Sequence, residues 1–464
     1  MATLSEAPKR REVLHRQSWP GPRRSNFLFG CLRPFQRDQL NFLRDMWRTY
    51  GDYVRIPTVP GYDVYFLADP AAIEHVLVKN HKNYRKLDLL TRPVRLLLGN
   101  GLFTSEGDFW LRQRRLSQPA FLRGAVVRLA APMTSAVDGL IQTWETAPDG
   151  RSVDMVTEMT RLVLHIAAAT LFGADVGPDA DAIGTGQRAI FDLVRHKMDN
   201  PLTAPLWVPT RRNRAFRSTK GLLDALVLRL IESRRRSGPA ANDLLDLLLA
   251  AREEESGTGM SDQQLKDEVI TLLFAGLDTT TASISWAWHL LARHQDIQES
   301  LHDQVAAYLA GRTPTAEDLP HLPLATAVLE EALRLYPPAP GMPRVAVKPD
   351  EIHGYPVPAK AIITVSQWVT HRNPAYWDEP DRFRPERFLP GRPAERPKFA
   401  YFPFGGGPRL CIGNTFALIE GALILAGLAQ RFHFRPADGR EVELDTTFVL
   451  RPKGALNLIV RKRP

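Results

Sequence analysis

Cysteine is nearly absent from this chain: there are two in 464 residues, Cys31 and Cys411. Two cysteines make no disulfide framework, which fits a reducing compartment and a cytoplasmic location. Zinc chemistry has no support, because neither a His-Glu-x-x-His nor a Cys-x-x-Cys spacing occurs. The pairs Gly99/Gly101 and Gly184/Gly186 lack the further glycine and the strand context of a dinucleotide-binding turn. No run of about 18 uncharged apolar residues exists, so the sequence offers no transmembrane anchor. The residues up to Ser25 are polar and basic, without the apolar centre of a secretory signal. No repeat period or low-complexity tract is visible.

What is present is the composition of a globular chain, 44% hydrophobic and 24% charged, with a net charge of +9. Lys9, Arg10, Arg11, Arg16, Arg23 and Arg24, against Glu6 and Glu12, put much of that charge into the N-terminal tail. The rest is mildly basic, so nucleic acid is a poor default partner. Two further clusters, Arg211/Arg212/Arg214/Arg217 and Arg234/Arg235/Arg236, read as solvated faces or helix C-termini. A surface for an acidic electron carrier or an anionic membrane is the functional alternative.

Residues 1–35 read as a basic, flexible lead-in and 36–464 as a single domain. Tyr53 to Ile56 and Val64 to Leu67 flank Pro60-Gly61-Tyr62 as strand, turn and strand. Helical patterns dominate to about Tyr336, and short strands and Pro-rich chain follow. The fold class is therefore mainly α with a smaller β-rich part.

The most specific signal is Phe404-Gly405-Gly406-Gly407-Pro408-Arg409-Leu410-Cys411-Ile412-Gly413. It sets a cysteine at the end of a glycine-rich loop, before an apolar run from Asn414 to Phe432. A helix N-terminus lowers a thiol's pKa and favours thiolate. The glycines would let backbone lie against something large and planar. A thiolate beneath a planar ligand points to haem iron, where it favours O–O cleavage. Cys31 has no ligand-like neighbours and reads as packing.

The ten-residue string resembles the haem-binding loop of the cytochrome P450 family, Phe-x-x-Gly-x-Arg-x-Cys-x-Gly, with every fixed position filled. The resemblance implies haem b (iron protoporphyrin IX) with Cys411 as the metal ligand, Phe404 beside the sulfur, Arg409 on a propionate, and Gly405 and Gly413 in the cofactor cradle.

Other segments agree. A long helix is expected from Ser261, which makes a capping box with Gln264, to about His294. Its middle, Phe274-Ala275-Gly276-Leu277-Asp278-Thr279-Thr280-Thr281, is unsuited to a buried helix, since Gly276 alone costs about 1 kcal/mol relative to Ala. Thr279 can bond back to the carbonyl of Ala275 and open the turn. Asp278 and Thr279 supply a titratable group and a hydroxyl, the parts of a proton relay. The segment is similar to the family's oxygen-activation motif, which makes Thr279 and Asp278 the catalytic pair. Glu331 and Arg334, three apart before Pro337-Pro338, match the family's Glu-x-x-Arg, and Arg387 of Pro385-Glu386-Arg387-Phe388 completes the expected structural triad. Trp110 and Arg114, four apart on one helical face, resemble its propionate site. Arg344 matches a further cationic position. Asp350 lies one residue farther on than usual, and Lys360 stands where glycine is common. His371 reads as structural.

The resemblance implies a monooxygenase that uses O2 and two electrons to hydroxylate or epoxidise an apolar organic substrate: terpenoid, steroid, fatty acid or polyketide-like. Electrons are expected from a separate ferredoxin and its reductase, with Arg112, Arg115 and Arg409 facing an acidic carrier, and the enzyme is expected to be a monomer. Ala275, Gly276, Ala339, Phe448 and Val449 are the expected substrate pocket, with the segment 192–207 as its lid. Alternatives are a haem-thiolate peroxygenase or peroxide-rearranging enzyme, which the Asp278–Thr279 pair disfavours, and a haem-based sensor or basic nucleic-acid binder.

Overall fold

The computed structural model describes residues 17–24, 29–173, 196, 203–238, 243–253, 257–391 and 396–463. Its axis is the helix Asp262–Arg293, here called the central helix. Ser261 accepts from the Gln264 amide while the Gln264 side chain accepts from the Ser261 amide, so the capping box starts this helix as its sequence requires. Among the described residues it is long and apolar enough to cross a membrane, yet 72% of its most apolar window is buried inside the protein. A helix apolar on every side, wrapped by other helices, is a core helix. Met155–Phe172, Arg211–Ser237, Pro323–Leu335 and Asn414–Arg431 pack around it.

The β part comprises β1 (Tyr53–Ile56), β2 (Val64–Leu67), β3 (Tyr84–Lys86), β4 (Arg151–Asp154), β5 (Met342–Ala346), β6 (Asp350–Ile352), β7 (Tyr355–Val357), β8 (Ile362–Val365), β9 (Phe432–Pro436), β10 (Leu444–Asp445), β11 (Arg451–Pro452) and β12 (Asn457–Lys462). Five strands form one sheet in the order β1-β2-β8-β5-β3, and β4-β12-β9 form another. β1 and β2 pair antiparallel from Tyr53↔Leu67 to Ile56↔Val64. At the other edge of that sheet, β3 sets Lys86 directly opposite Arg344 of β5.

Two local departures follow from packing. Residues 17–24, which the composition assigns to a flexible lead-in reaching residue 35, lie against the sheet. Trp19 stacks edge-on to Tyr65 at 4.9 Å, its indole N–H donates to the Pro356 carbonyl at 2.7 Å, and the Pro20 carbonyl accepts from the Arg55 amide. One half-buried aromatic offsets the polarity of its neighbours. Residues 1–16 lie outside the described residues. Lys360 takes φ +67°, the left-handed turn that glycine would adopt without strain. The expected lid, 192–207, falls mostly outside the described residues. The second basic cluster lies in the last turn of the helix Arg211–Ser237, as its helix-C-terminus reading has it, and within it Arg234 bridges Asp243 and Asp246 at 2.7 and 2.6 Å.

Candidate active site

The cysteine loop is closed by its own backbone. The Cys411 amide donates to the Phe404 carbonyl at 3.0 Å, and the Gly405 amide to that of Phe402 at 2.9 Å. Two of its glycines, Gly406 and Gly407, are needed for close packing against protein. A Cβ on Gly406 would stand 2.4 Å from the Phe399 ring, and one on Gly407, at φ +67°, 2.0 Å from the Leu77 carbonyl oxygen. Gly405 abuts Met342 sulfur, while Gly413 has nothing nearer than Phe121 at 3.9 Å.

Cys411 is open at its immediate surface but enclosed by protein at longer range. Burial pushes its thiol pKa up; the Gly413 amide and Arg114 pull the other way and lose. The Gly413 amide and Arg114 are thus the neighbours that favour the charged thiolate, and the helix proper begins at Asn414.

Across the fold, Ala275 and Gly276 are exposed in the middle of an otherwise buried helix, and a Cβ on Gly276 would meet nothing within 4 Å. The Thr279 hydroxyl donates to the Ala275 carbonyl at 2.6 Å, as the sequence suggests, and Asp278 beside it is half-buried. The Leu450 amide donates to the Pro338 carbonyl at 2.9 Å, and the Trp286 indole to the Leu450 carbonyl at 3.2 Å. These bonds tie the segments of Ala339, Phe448 and Val449 to the central helix. Ala339 and Phe448 are open at the surface; Val449 is buried.

Glu331 and Arg334 are fully buried and doubly bonded, Nε to Oε2 at 2.7 Å and Nη2 to Oε1 at 2.8 Å. Arg387 approaches Glu331 at 3.4 Å through Nε, a charge contact without a hydrogen bond, and the Arg384 amide donates to the same carboxylate at 2.9 Å. His371 carries this cluster to the cysteine loop. Its Nδ1 faces the Arg334 carbonyl at 3.3 Å, and its Nε2 accepts from the Phe402 amide at 2.9 Å. Sequence reasoning read His371 as structural but missed this bridge, because its partners lie far apart in the chain.

The cations gather on one side. Arg114 donates to the Leu410 carbonyl at 2.9 Å, next to Cys411. Arg409 lies over the Trp110 ring at 3.7 Å, donates to the Ser105 carbonyl, and pairs with Glu106. Among the described residues, Arg344 donates to the Pro343 carbonyl at 3.0 Å. Lys86 and Arg95, which no motif marked, donate to the carbonyls of Leu102 and Phe103, and of Thr104. Burial and the neighbouring arginines lower Lys86 to about 7, with Glu106 opposing. Arg112 is held by Glu253 at 3.2 Å and by Thr258 and Gly259, so it fastens a loop and is not free for an acidic carrier as expected; Arg115 is exposed.

Residues 20–459 match the family described as Cytochrome P450. The chain belongs to the cytochrome P450 family. It is 35% identical over 408 residues to cyclooctatin synthase of Streptomyces melanosporofaciens, covering 88% of each chain. It is 31% identical to pentalenene oxygenase of Streptomyces avermitilis, covering 89% of this chain and 91% of that one. The crystal structure of the cytochrome P450DA heme domain superposes with a TM-score of 0.87 at 25% identity, over 96% of this chain and 98% of that one. The protein is thus a P450 monooxygenase, and the family implies a haem-iron cofactor. The residues present fit one. Lys86 directly opposite Arg344 is a like-charge pair that disfavours the sheet, and among the described residues Lys86, Arg114, Arg344 and Arg409 outnumber the carboxylates beside them, Glu106 and, against Lys86, Glu268. Such a cluster calls for anions, and haem brings two carboxylates.

Proposed function

We propose that this P450 binds haem b through Cys411 and hydroxylates or epoxidises a terpenoid hydrocarbon or alcohol, with electrons from a separate ferredoxin-type donor in the bacterial cytoplasm. Relatives named cyclooctatin synthase, cyclooctat-9-en-7-ol 5-monooxygenase and pentalenene oxygenase support the substrate class. The small residues Ala275, Gly276 and Ala339 and the apolar Phe448 and Val449 suit such a ligand, which offers bulk and few polar groups. Net charge +9 and the exposed Arg115 favour an acidic carrier.

Cys411 would ligate the iron, with Trp110, Arg114, Arg344, Arg409 and Lys86 around the two carboxylates. When bound, the haem iron supplies activation of O2 and transfer of one oxygen atom to the substrate. The chain's own contributions are positional and protonic. Ala275 and Gly276 leave room beside the central helix. Thr279 holds a hydroxyl at the opened turn, and Asp278 brings a titratable group next to it. The Glu331–Arg334–His371 chain keeps the Phe404–Cys411 loop in one geometry.

The observation that carries this reading is the exposed Cys411, in a loop braced by a buried ion pair and flanked by more cations than carboxylates. It is tested by titrating the purified enzyme with cyclic terpene hydrocarbons and alcohols, steroids and fatty acids, while following the haem spin-state change. A response confined to steroids or fatty acids would overturn the terpenoid assignment.

A further inference from the structure

Between the cations and the central helix runs the loop from Gly99 to Glu106, held from both sides. Its carbonyls face cations: Lys86 on Leu102 and Phe103, Arg95 on Thr104, Arg409 on Ser105. Its amides face carboxylates of the central helix. Asp267 accepts from the Asn100 amide at 2.8 Å, and Glu268 from the Leu102 amide at 3.0 Å. The fit is close. A Cβ on Gly99 would stand 2.2 Å from the Asp267 carboxyl carbon, and one on Gly101 2.2 Å from the Thr271 hydroxyl oxygen.

Glu268 differs from its neighbour. Asp267 has a second donor in the Gln263 amide group at 2.7 Å. Glu268 has 0% exposure, and its other oxygen, Oε1, is buried without a hydrogen-bond partner. The charged groups facing it are Asp267 on its own helix, which repels a negative charge, and Lys86 from β3, which attracts it. Lys86 is itself surrounded by Arg95, Arg344 and Arg409, with Glu106 opposing. A buried carboxylate with one hydrogen bond is costly, whereas a neutral acid keeps the acceptor for Leu102 without the charge.

We propose that Glu268 is a proton-linked positioning residue that fastens the Gly99–Glu106 loop to the central helix, closing the cation side of the pocket in its acid form and loosening it when ionised. Burial, the largest influence, raises its pKa to about 7, against the Leu102 amide and Lys86. The sign follows: an opened loop lets water reach the carboxylate and returns its pKa toward the usual range. Opening is therefore favoured as pH rises through the closed-state pKa and disfavoured below it. The proposal deepens the haem reading at one point only, the link between the loop and the cations that would hold the haem carboxylates.

The test uses the haem-loaded enzyme and two variants, Glu268→Gln and Glu268→Ala. Hydrogen exchange at Leu102 and its neighbours is followed from about pH 6 to about pH 8, together with haem transfer to an excess of a haem-scavenging protein. In the parent enzyme, exchange is expected to accelerate by up to about tenfold beyond its intrinsic base catalysis, with haem release rising in parallel. Glu268→Gln keeps the acceptor and loses this excess. Glu268→Ala loses the Leu102 protection at every pH. An equal excess in the parent and the Gln variant, retained protection in the Ala variant, or haem release indifferent to loop opening would each overturn the proposal. A missing thiolate spectrum would instead overturn the Cys411 ligation and leave the exchange result standing.

Discussion

Replacing Arg334 by alanine should nearly unfold this protein. Arg334 is fully buried and makes five hydrogen bonds: two to Glu331 at 2.7 and 2.8 Å, and three to the carbonyls of His371, Pro380 and Arg382 at 2.8, 2.6 and 3.0 Å. Its guanidinium also stacks 4.9 Å from the Trp377 ring centre. Removing one partner of a buried pair strands the other charge, at about 3–5 kcal/mol. Three orphaned carbonyls add about 1 kcal/mol each at the low end. The sum, about 6 kcal/mol or more, rivals the ~5–15 kcal/mol that holds a domain together. Arg334→Lys keeps the charge but loses the two-pronged contact, so about half that loss is expected. Urea unfolding followed by far-UV circular dichroism and tryptophan fluorescence measures both, and the lysine variant remains informative if the alanine variant yields no folded protein. The Glu331→Gln/Arg334→Met pair should lose less than the single losses summed, because neither member of the pair is left charged without the other, although Arg387 gives up its contact with the Glu331 carboxylate. An alanine variant within about 1 kcal/mol of the parent would refute the assignment of Arg334 as the buried brace.

Three further outcomes are expected. Burial, with Arg334 and Arg372 beside it, holds His371 neutral well below the usual histidine range. The unfolded chain takes up a proton near pH ~6.5 that the native state refuses. Stability is therefore full above about pH 6.5 and falls below it, and His371→Gln should flatten that part of the urea-unfolding pH profile. Thr279→Ala removes the hydroxyl bonded to Ala275 and should leave substrate binding intact while lowering product formed per electron consumed about tenfold or more; unchanged coupling would argue against a role for Thr279 in proton delivery. Gly407→Ala forces a side chain into φ +67° and against the Leu77 carbonyl, costing ~2 kcal/mol or more. The thermal midpoint should fall with it, and haem content per chain should drop.

Much of this was legible because it is local. The capping box at Ser261 and Gln264, the Thr279 back-bond and the Glu331–Arg334 spacing are short-range patterns whose geometry is set by helix pitch. The Phe404–Gly413 string carried the family by itself. What escaped was set by distant pairings. Lys86 is an ordinary strand residue until β3 meets β5 and puts it opposite Arg344. Glu268 is one acid in a polar helix start until the loop at Leu102 folds onto it. Composition misjudged residues 17–24, where Trp19 outweighs its polar neighbours. The loop glycines were legible as glycines, but which way each missing Cβ points depends on Phe399 and Leu77, remote in sequence.

Cys411 as the sulfur ligand of haem iron is tested most directly by the spectrum of the reduced enzyme under carbon monoxide. The parent protein should show the strongly red-displaced Soret band of a thiolate-bound carbonyl haem, and Cys411→Ser should show a band at the shorter wavelength of non-thiolate haem proteins, or bind no haem. An unaltered red-displaced band in the serine variant would contradict the ligation on which the proposed function rests.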